Sequence, residues 1–77
     1  MRRSKLRRYL LVIERARRGY SAYSPDVPGC VATGSTRDRA QRAMRKAIAF
    51  HLEGLRADGA KLPVPRSWST HFDVPVS

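Results

Sequence analysis

The chain has 77 residues, with 16 Lys and Arg against six Asp and Glu, and its formal net charge is +10. This length makes one small domain, which buries only roughly 60% of the surface that its unfolded chain exposes. A single cysteine excludes an internal disulfide framework. No segment approaches the roughly 20 apolar residues of a membrane span. We therefore expect a cytoplasmic, unprocessed protein with no membrane among its partners.

The positive charge is concentrated at the start of the chain, where residues 1–18 hold eight basic groups and one acid. We predict a flexible basic arm over residues 1–8 and a single domain over residues 9–77. Such an arm suits a polyanionic partner. The alternative is a disordered tail that only keeps the protein in solution.

Three short strands are predicted before the middle of the chain. The continuous apolar run Tyr9–Ile13 favours a first strand, and a glycine-containing turn connects it to a second strand at Tyr20–Tyr23. The third strand is expected at Cys30–Thr33. Together the first two make a β-hairpin.

The connection between the second and third strands has a specified backbone geometry. Pro25 ends the second strand because it donates no ladder hydrogen bond. Pro28 and Gly29 fit the two central positions of a type II turn. Gly34 is expected to break the third strand, and Ser35, which precedes Thr36, is expected to cap the helix.

One amphipathic helix follows, with apolar residues at helical spacing from Ala40 to Leu55 and a glycine stop at Gly59. After it, residues 67–74 alternate between two faces, with Trp68, Phe72 and Val74 on the apolar one, which predicts a half-buried strand at an edge or against a second subunit. The predicted fold is an α+β domain, with a two-layer β-β-β-α-β order.

Catalytic and metal-binding groupings are missing from the sequence. The acids are scattered, and only Glu14 and Asp26 are placed to approach one another on a sheet, whereas two-metal phosphodiester chemistry needs several convergent carboxylates. One cysteine and two distant histidines give no zinc spacing. We predict no enzyme, no metal and no cofactor, with a vestigial nuclease as the weakest alternative.

Nucleic-acid binding is an open alternative, because basic residues lie both in the arm and on the outer face of the helix. The residues expected to contact phosphates are these: Arg2, Arg3, Arg7, Arg8, Arg42, Arg45 and Lys46. Arginines on such a face are also simply its solvated side, and Asp38 is placed to pair with Arg42.

One run of residues extends from Tyr20 through Pro25-Asp26-Val27-Pro28-Gly29-Cys30 to Gly34 and Thr36. It is followed by an alanine-rich helix and by Leu62-Pro63-Val64-Pro65. Together these features resemble the HicB family of bacterial and archaeal antitoxins. The resemblance covers about Tyr9 to Pro65. It implies a partial ribonuclease-H-like fold without the nuclease carboxylates, in a short form that lacks the C-terminal DNA-binding domain of many relatives.

The resemblance also implies dimers or tetramers, and direct neutralisation of a small HicA-type toxin, an RNA-cleaving protein. The residues assigned to partner binding are Tyr20, Tyr23, Asp26, Trp68 and Phe72. The family's helix is acidic on its outer face, whereas this helix is basic there. A basic toxin would therefore be repelled unless the contact uses other faces of the molecule.

Overall fold

The computed structural model describes residues 6–77. Strands β1 (Val12–Arg15), β2 (Tyr20–Tyr23) and β3 (Val31–Gly34) form an antiparallel sheet in the order β1-β2-β3, and helix α1 (Arg37–Ala57) packs on one side of it. The α+β class and the two-layer arrangement are confirmed. Arg2 and Arg3 lie outside the described residues, as does most of the predicted arm.

β1 begins at Val12 and not at Tyr9, because β2, the strand that pairs with it, ends at Tyr23. Val12 pairs with Tyr23, the last residue of β2, and beyond it Pro25 donates no ladder hydrogen bond. The preceding residues 9–11 therefore have no strand opposite them. The apolar run predicted the strand correctly, but the turn after β2 decides its length.

The turn between β2 and β3 has the predicted type II geometry. The Cys30 amide donates to the Val27 carbonyl oxygen at 3.4 Å, and Gly29 has a φ of 88°. Val27 is fully buried, so this turn also contributes to the core.

Gly34 does not break β3, contrary to the prediction: it is the last residue of the strand and pairs with Tyr20. Its function is close packing. A Cβ at this position would lie 2.4 Å from the Ala40 amide nitrogen, so only glycine lets the strand end approach the first turns of the helix.

Helix α1 is capped by Thr36 and not by Ser35. The Thr36 Oγ1 accepts a hydrogen bond from the Arg39 amide at 3.0 Å, while Ser35 accepts only from the Arg39 side chain. At the other end Gly59 has a φ of 70°, and the Gly59 and Ala60 amides donate to Arg56 and Leu55, which is a Schellman motif.

The core is small and lies between the sheet and the buried helix stripe. Its fully or nearly buried apolar residues are Ala22, Val27, Cys30, Ala40, Met44 and Ile48. Met44 and Val27 are the largest side chains that are completely buried. The packing of α1 falls mainly on β3 and β2, so the helix covers β1 least.

The predicted last strand is not part of this sheet. No helix or strand is formed after α1, and every residue from Trp68 to Ser77 is exposed. The radius of gyration is 15.1 Å, against roughly 11–12 Å for a compact chain of this length. We call residues 68–77 the tail; within a single chain it projects from the domain without a pairing partner.

Candidate functional site

The face of the sheet opposite α1 is uncovered. Ala22 is completely buried beneath the helix, and side chains alternate along a strand, so Tyr23 lies on the other face. The register places Val12, Tyr23 and Val31 side by side across the three strands. Tyr23 is 39% exposed and Val31 is 72% exposed. These three residues form a continuous apolar row that is open to solvent.

The next row of the same face is polar, with Glu14, Ser21 and Thr33 aligned across the sheet. We call these two rows together the open face. Its six strand residues include one acid and no Lys or Arg. In a chain of net charge +10, this is a surface on which a basic partner meets little repulsion.

Asp26 holds the two residues that precede the tail against the turn after β2. Its Oδ2 accepts hydrogen bonds from the Arg66 and Ser67 amides, both at 2.9 Å, and its Oδ1 accepts one from the Ser67 hydroxyl at 3.0 Å. The Arg66 amide bond, aided by the two bonds from Ser67, lowers the pKa of this carboxyl below its ordinary value of 3.8. Both oxygens of the carboxylate therefore form hydrogen bonds within the chain.

A second contact fixes the segment just before that point. The Tyr9 hydroxyl donates to the Pro63 carbonyl oxygen at 2.6 Å, and Arg7 donates to the same oxygen at 2.9 Å. Arg7 is thus engaged in the domain and does not lie in a free arm. The chain is held at residues 63 and 66–67, and the tail leaves the domain immediately afterwards.

A groove with both apolar and charged residues in its lining lies between α1 and the segment that precedes β1. One wall is the segment that leads into β1, with Leu6, Tyr9 and Leu11, and the other is the face of α1 with Ile48 and Leu52. Four arginines also line the groove: Arg7, Arg8, Arg45 and Arg56.

The five residues predicted to bind a partner do not form one site. Tyr20 and Tyr23 are three residues apart in a strand and lie on opposite faces, and Tyr20 sits beneath Arg15, whose guanidinium carbon is 5.8 Å from the ring centroid. Tyr23 belongs to the open face. Trp68 and Phe72 lie on the tail and are 84% and 85% exposed.

The outer side of α1 is basic, as the sequence indicates. Arg45 and Lys46 are exposed, and Arg42 forms a solvent-exposed ion pair with Asp38 at 3.0 Å. Such an exposed pair adds little stability. Arg8 is also exposed.

Within residues 6–77, no three His, Cys, Asp or Glu side chains come together as a metal site would require. Glu14 lies on the edge strand β1 opposite Ser21, while Asp26 accepts hydrogen bonds from Arg66 and Ser67. Cys30 is buried, with its Sγ 3.8 Å from the Ala47 carbonyl oxygen, as expected for a packing residue. Of the described helices, none is long and apolar enough to cross a membrane.

The described residues form a three-stranded sheet with one helix on one side and an uncovered apolar row on the other. The family model for the HicB-like antitoxins of bacterial toxin–antitoxin systems matches residues 9–75, and the chain belongs to this family.

Two relatives are similar over part of their length. An uncharacterized 14.9 kDa protein from the rep-hol intergenic region of Haemophilus phage HP1 is 42% identical over 67 residues, which are 87% of this chain and 50% of that protein. A UPF0150 protein of Helicobacter pylori strain J99 is 40% identical over 47 residues, 61% of this chain and 65% of the relative. The chain thus spans between half and two thirds of these relatives.

Proposed function

We propose that this protein is a non-catalytic antitoxin of the cytoplasm that binds a small HicA-type RNA-cleaving toxin and neutralises it by direct contact. The observation that carries the proposal is the family match over residues 9–75. The membership supports a regulatory role in a toxin–antitoxin system. We further propose that the protein self-associates, because Trp68 and Phe72 leave large aromatic surfaces exposed on a single chain.

The open face is the surface best suited to such a toxin. A toxin that binds RNA is expected to be basic, so it is repelled by the outer side of α1 and by the arginines around the groove. The open face has no Lys or Arg among its six strand residues, and it presents Tyr23 between two valines. Aromatic residues within an apolar row are typical of interface centres.

The test is co-expression with the protein encoded by the neighbouring gene, scored by rescue of growth and by co-purification. Val31→Lys places a cation on the open face and leaves the core intact, because Val31 is 72% exposed. We expect it to weaken the complex at least tenfold and to abolish rescue. Phe50→Lys is the matched control, since Phe50 is 81% exposed on α1 and lies away from the open face.

Unchanged binding by Val31→Lys would move the toxin contact to another surface. Absence of any complex with the wild-type chain would contradict the antitoxin proposal itself.

A second candidate function is sequence-independent binding of nucleic acid, favoured by the exposed Arg45 and Lys46 on α1 and by Arg8. Binding through phosphates weakens steeply as salt rises, because counterions are released. A titration of random RNA and DNA at several salt concentrations measures that slope. A flat slope, or no binding at low salt, rules this function out.

A further inference from the structure

We infer that the outer face of α1 and the turn between β1 and β2 bind single-stranded nucleic acid, with Phe50 as the side chain on which a base stacks. This inference rests on the second candidate function given above and names its surface and the form of nucleic acid that it takes. The proposed toxin contact plays no part in it, because the open face lies on the other side of the sheet from α1.

Exposed cations recur on the outer face of α1 at helical spacing. Arg39, Arg42 and Lys46 follow one another at intervals of three and four residues, so they lie on the same side of the helix. No acid stands in the sequence between Asp38 and Glu53. Within the described part of the chain, Asp38 pairs with Arg42 alone, so most of the positive charge of this row is uncompensated.

The turn between β1 and β2 brings two more cations to the start of this row. Gly19 of that turn packs so closely on the helix start that a Cβ there would lie 3.1 Å from the Ser35 Cα. Arg17 and Arg18 precede it and are exposed. The Arg39 side chain donates to the Ser35 hydroxyl at 2.9 Å, which places its guanidinium near the same turn. We call these five cations the basic strip: Arg17, Arg18, Arg39, Arg42 and Lys46.

An exposed aromatic ring ends the basic strip. Phe50 lies one helical turn beyond Lys46 and is 81% exposed, on the side of α1 that faces away from the sheet. It therefore contributes nothing to the core. Arg39 and Phe50 are about 16 Å apart along the helix axis. Single-stranded nucleic acid carries a phosphate and an unpaired base in every nucleotide, and such bases stack on aromatic side chains while cations follow the backbone.

Two other polyanions fit this surface less well. In a duplex the faces of the bases are covered by their own stacking, so Phe50 would find no ring on which to pack. An anionic membrane takes up an amphipathic helix through its broad apolar face. That face of α1, with Ala40, Met44 and Ile48, is already buried against the sheet. A flexible single strand is the polyanion that uses both the cations and the ring.

The experiment is fluorescence anisotropy of the full chain with labelled oligo-U and oligo-dT of about 12 nucleotides, and with a duplex of the same length. Phe50→Ser should weaken the binding of both single strands by roughly fivefold or more, because base stacking is lost, and should leave duplex binding unchanged. Phe50→Tyr keeps the ring and should bind as the wild-type chain does. Phe72→Ser is the matched control, since it removes an equally exposed phenylalanine from the tail. Circular dichroism checks that each variant is folded.

A salt titration separates the phosphate contacts from the stacking contact. For single strands, the slope of log K against log salt changes by about 0.7 for each phosphate contact. Lys46→Ser should therefore flatten the slope by about that amount, and the double variant Arg17→Ser, Arg18→Ser should flatten it further. Phe50→Ser should leave the slope as it is. Lys61→Ser removes an exposed cation beyond the end of α1 and is the matched control, with no change of slope expected.

Each failure has its own reading. If Phe50→Ser weakened single-strand and duplex binding equally, or neither, the stacking contact would be overturned and the candidate function would stand as a phosphate contact alone. Unchanged slopes in Lys46→Ser and in the Arg17→Ser, Arg18→Ser variant would overturn the basic strip as the binding surface. A wild-type chain that binds no oligonucleotide at about 50 mM salt would overturn both the inference and the candidate function, as would binding to phosphatidylserine vesicles alone.

Discussion

At the scale of single residues, Asp26 has the most specific structural role. Its two oxygens accept all three hydrogen bonds from Arg66 and Ser67. The sequence identifies the tight turn around Asp26, but it does not show what the carboxylate binds. The partners are 40 and 41 residues further along the chain, and no local pattern connects an aspartate in a turn with two distant backbone amides.

We predict that the attachment of the tail depends on pH through Asp26. Its pKa is lowered in the folded chain by the Arg66 amide, so the contribution to stability is complete above the ordinary value of 3.8 and is lost as the pH falls through the folded value. The protection of the Arg66 and Ser67 amides against hydrogen exchange, which is the ratio of the intrinsic to the observed rate, should therefore fall at low pH.

Asp26→Asn serves as the control for that measurement. Both backbone amides donate to the same oxygen, Oδ2, so an asparagine oxygen in that place accepts the same two hydrogen bonds without the charge that strengthens them, and exchange at Ser67 should be faster at neutral pH and should show no added change on acidification. Equal protection in Asp26→Asn and the wild-type chain would show that the carboxylate does not hold the tail.

At the scale of elements, the sequence predicts what local chemistry decides and misses what distant packing decides. β2 is predicted at its observed bounds, and so is the glycine stop of α1, because a strand pattern and a left-handed glycine are local signals. The length of β1 depends on the turn beyond its partner. Residues 68–74 have a clear alternation, but no strand within the described chain pairs with them.

The close approach of β3 to α1 gives a test at this scale. We predict that Gly34→Ala destabilises the fold by about 1–3 kcal/mol or more, because the new Cβ meets the backbone of Ala40 at 2.4–2.9 Å and neither element moves easily. Urea unfolding followed by circular dichroism measures the change in the free energy of unfolding.

Gly54→Ala is the matched control within the helix. A Cβ at Gly54 meets nothing within 4 Å, and alanine costs less entropy than glycine in a helix interior, so this change should stabilise the fold by about 0.5–1 kcal/mol. If the two substitutions had equal effects, the strand end and the helix would not be in the close contact described.

At the scale of the whole molecule, the small size of the buried core and the exposure of the apolar tail are related. Six apolar residues make up the buried core, and three of them are Ala or Cys. A domain of this size is marginally stable by itself. Contact with a second copy would bury more apolar surface and raise the stability of the domain, so that folding would be coupled to association.

We therefore predict that the thermal midpoint of the wild-type chain rises with protein concentration, since a ligand or subunit that binds only the folded state stabilises it by mass action. Differential scanning calorimetry at 10 and about 200 µM should detect the rise, and the Trp68→Ser, Phe72→Ser variant should show none. A wild-type thermal midpoint that does not change with protein concentration would show that association does not stabilise the folded chain.

The position of Trp68 has one more consequence. It is the single tryptophan of the chain, and it lies on the tail, 84% exposed and outside the core. The intrinsic fluorescence of this protein therefore reports on the surroundings of the tail and is nearly silent on the packing of Met44 and Val27. A blue shift of its emission would follow tail burial directly, without any label, while backbone signals follow the domain.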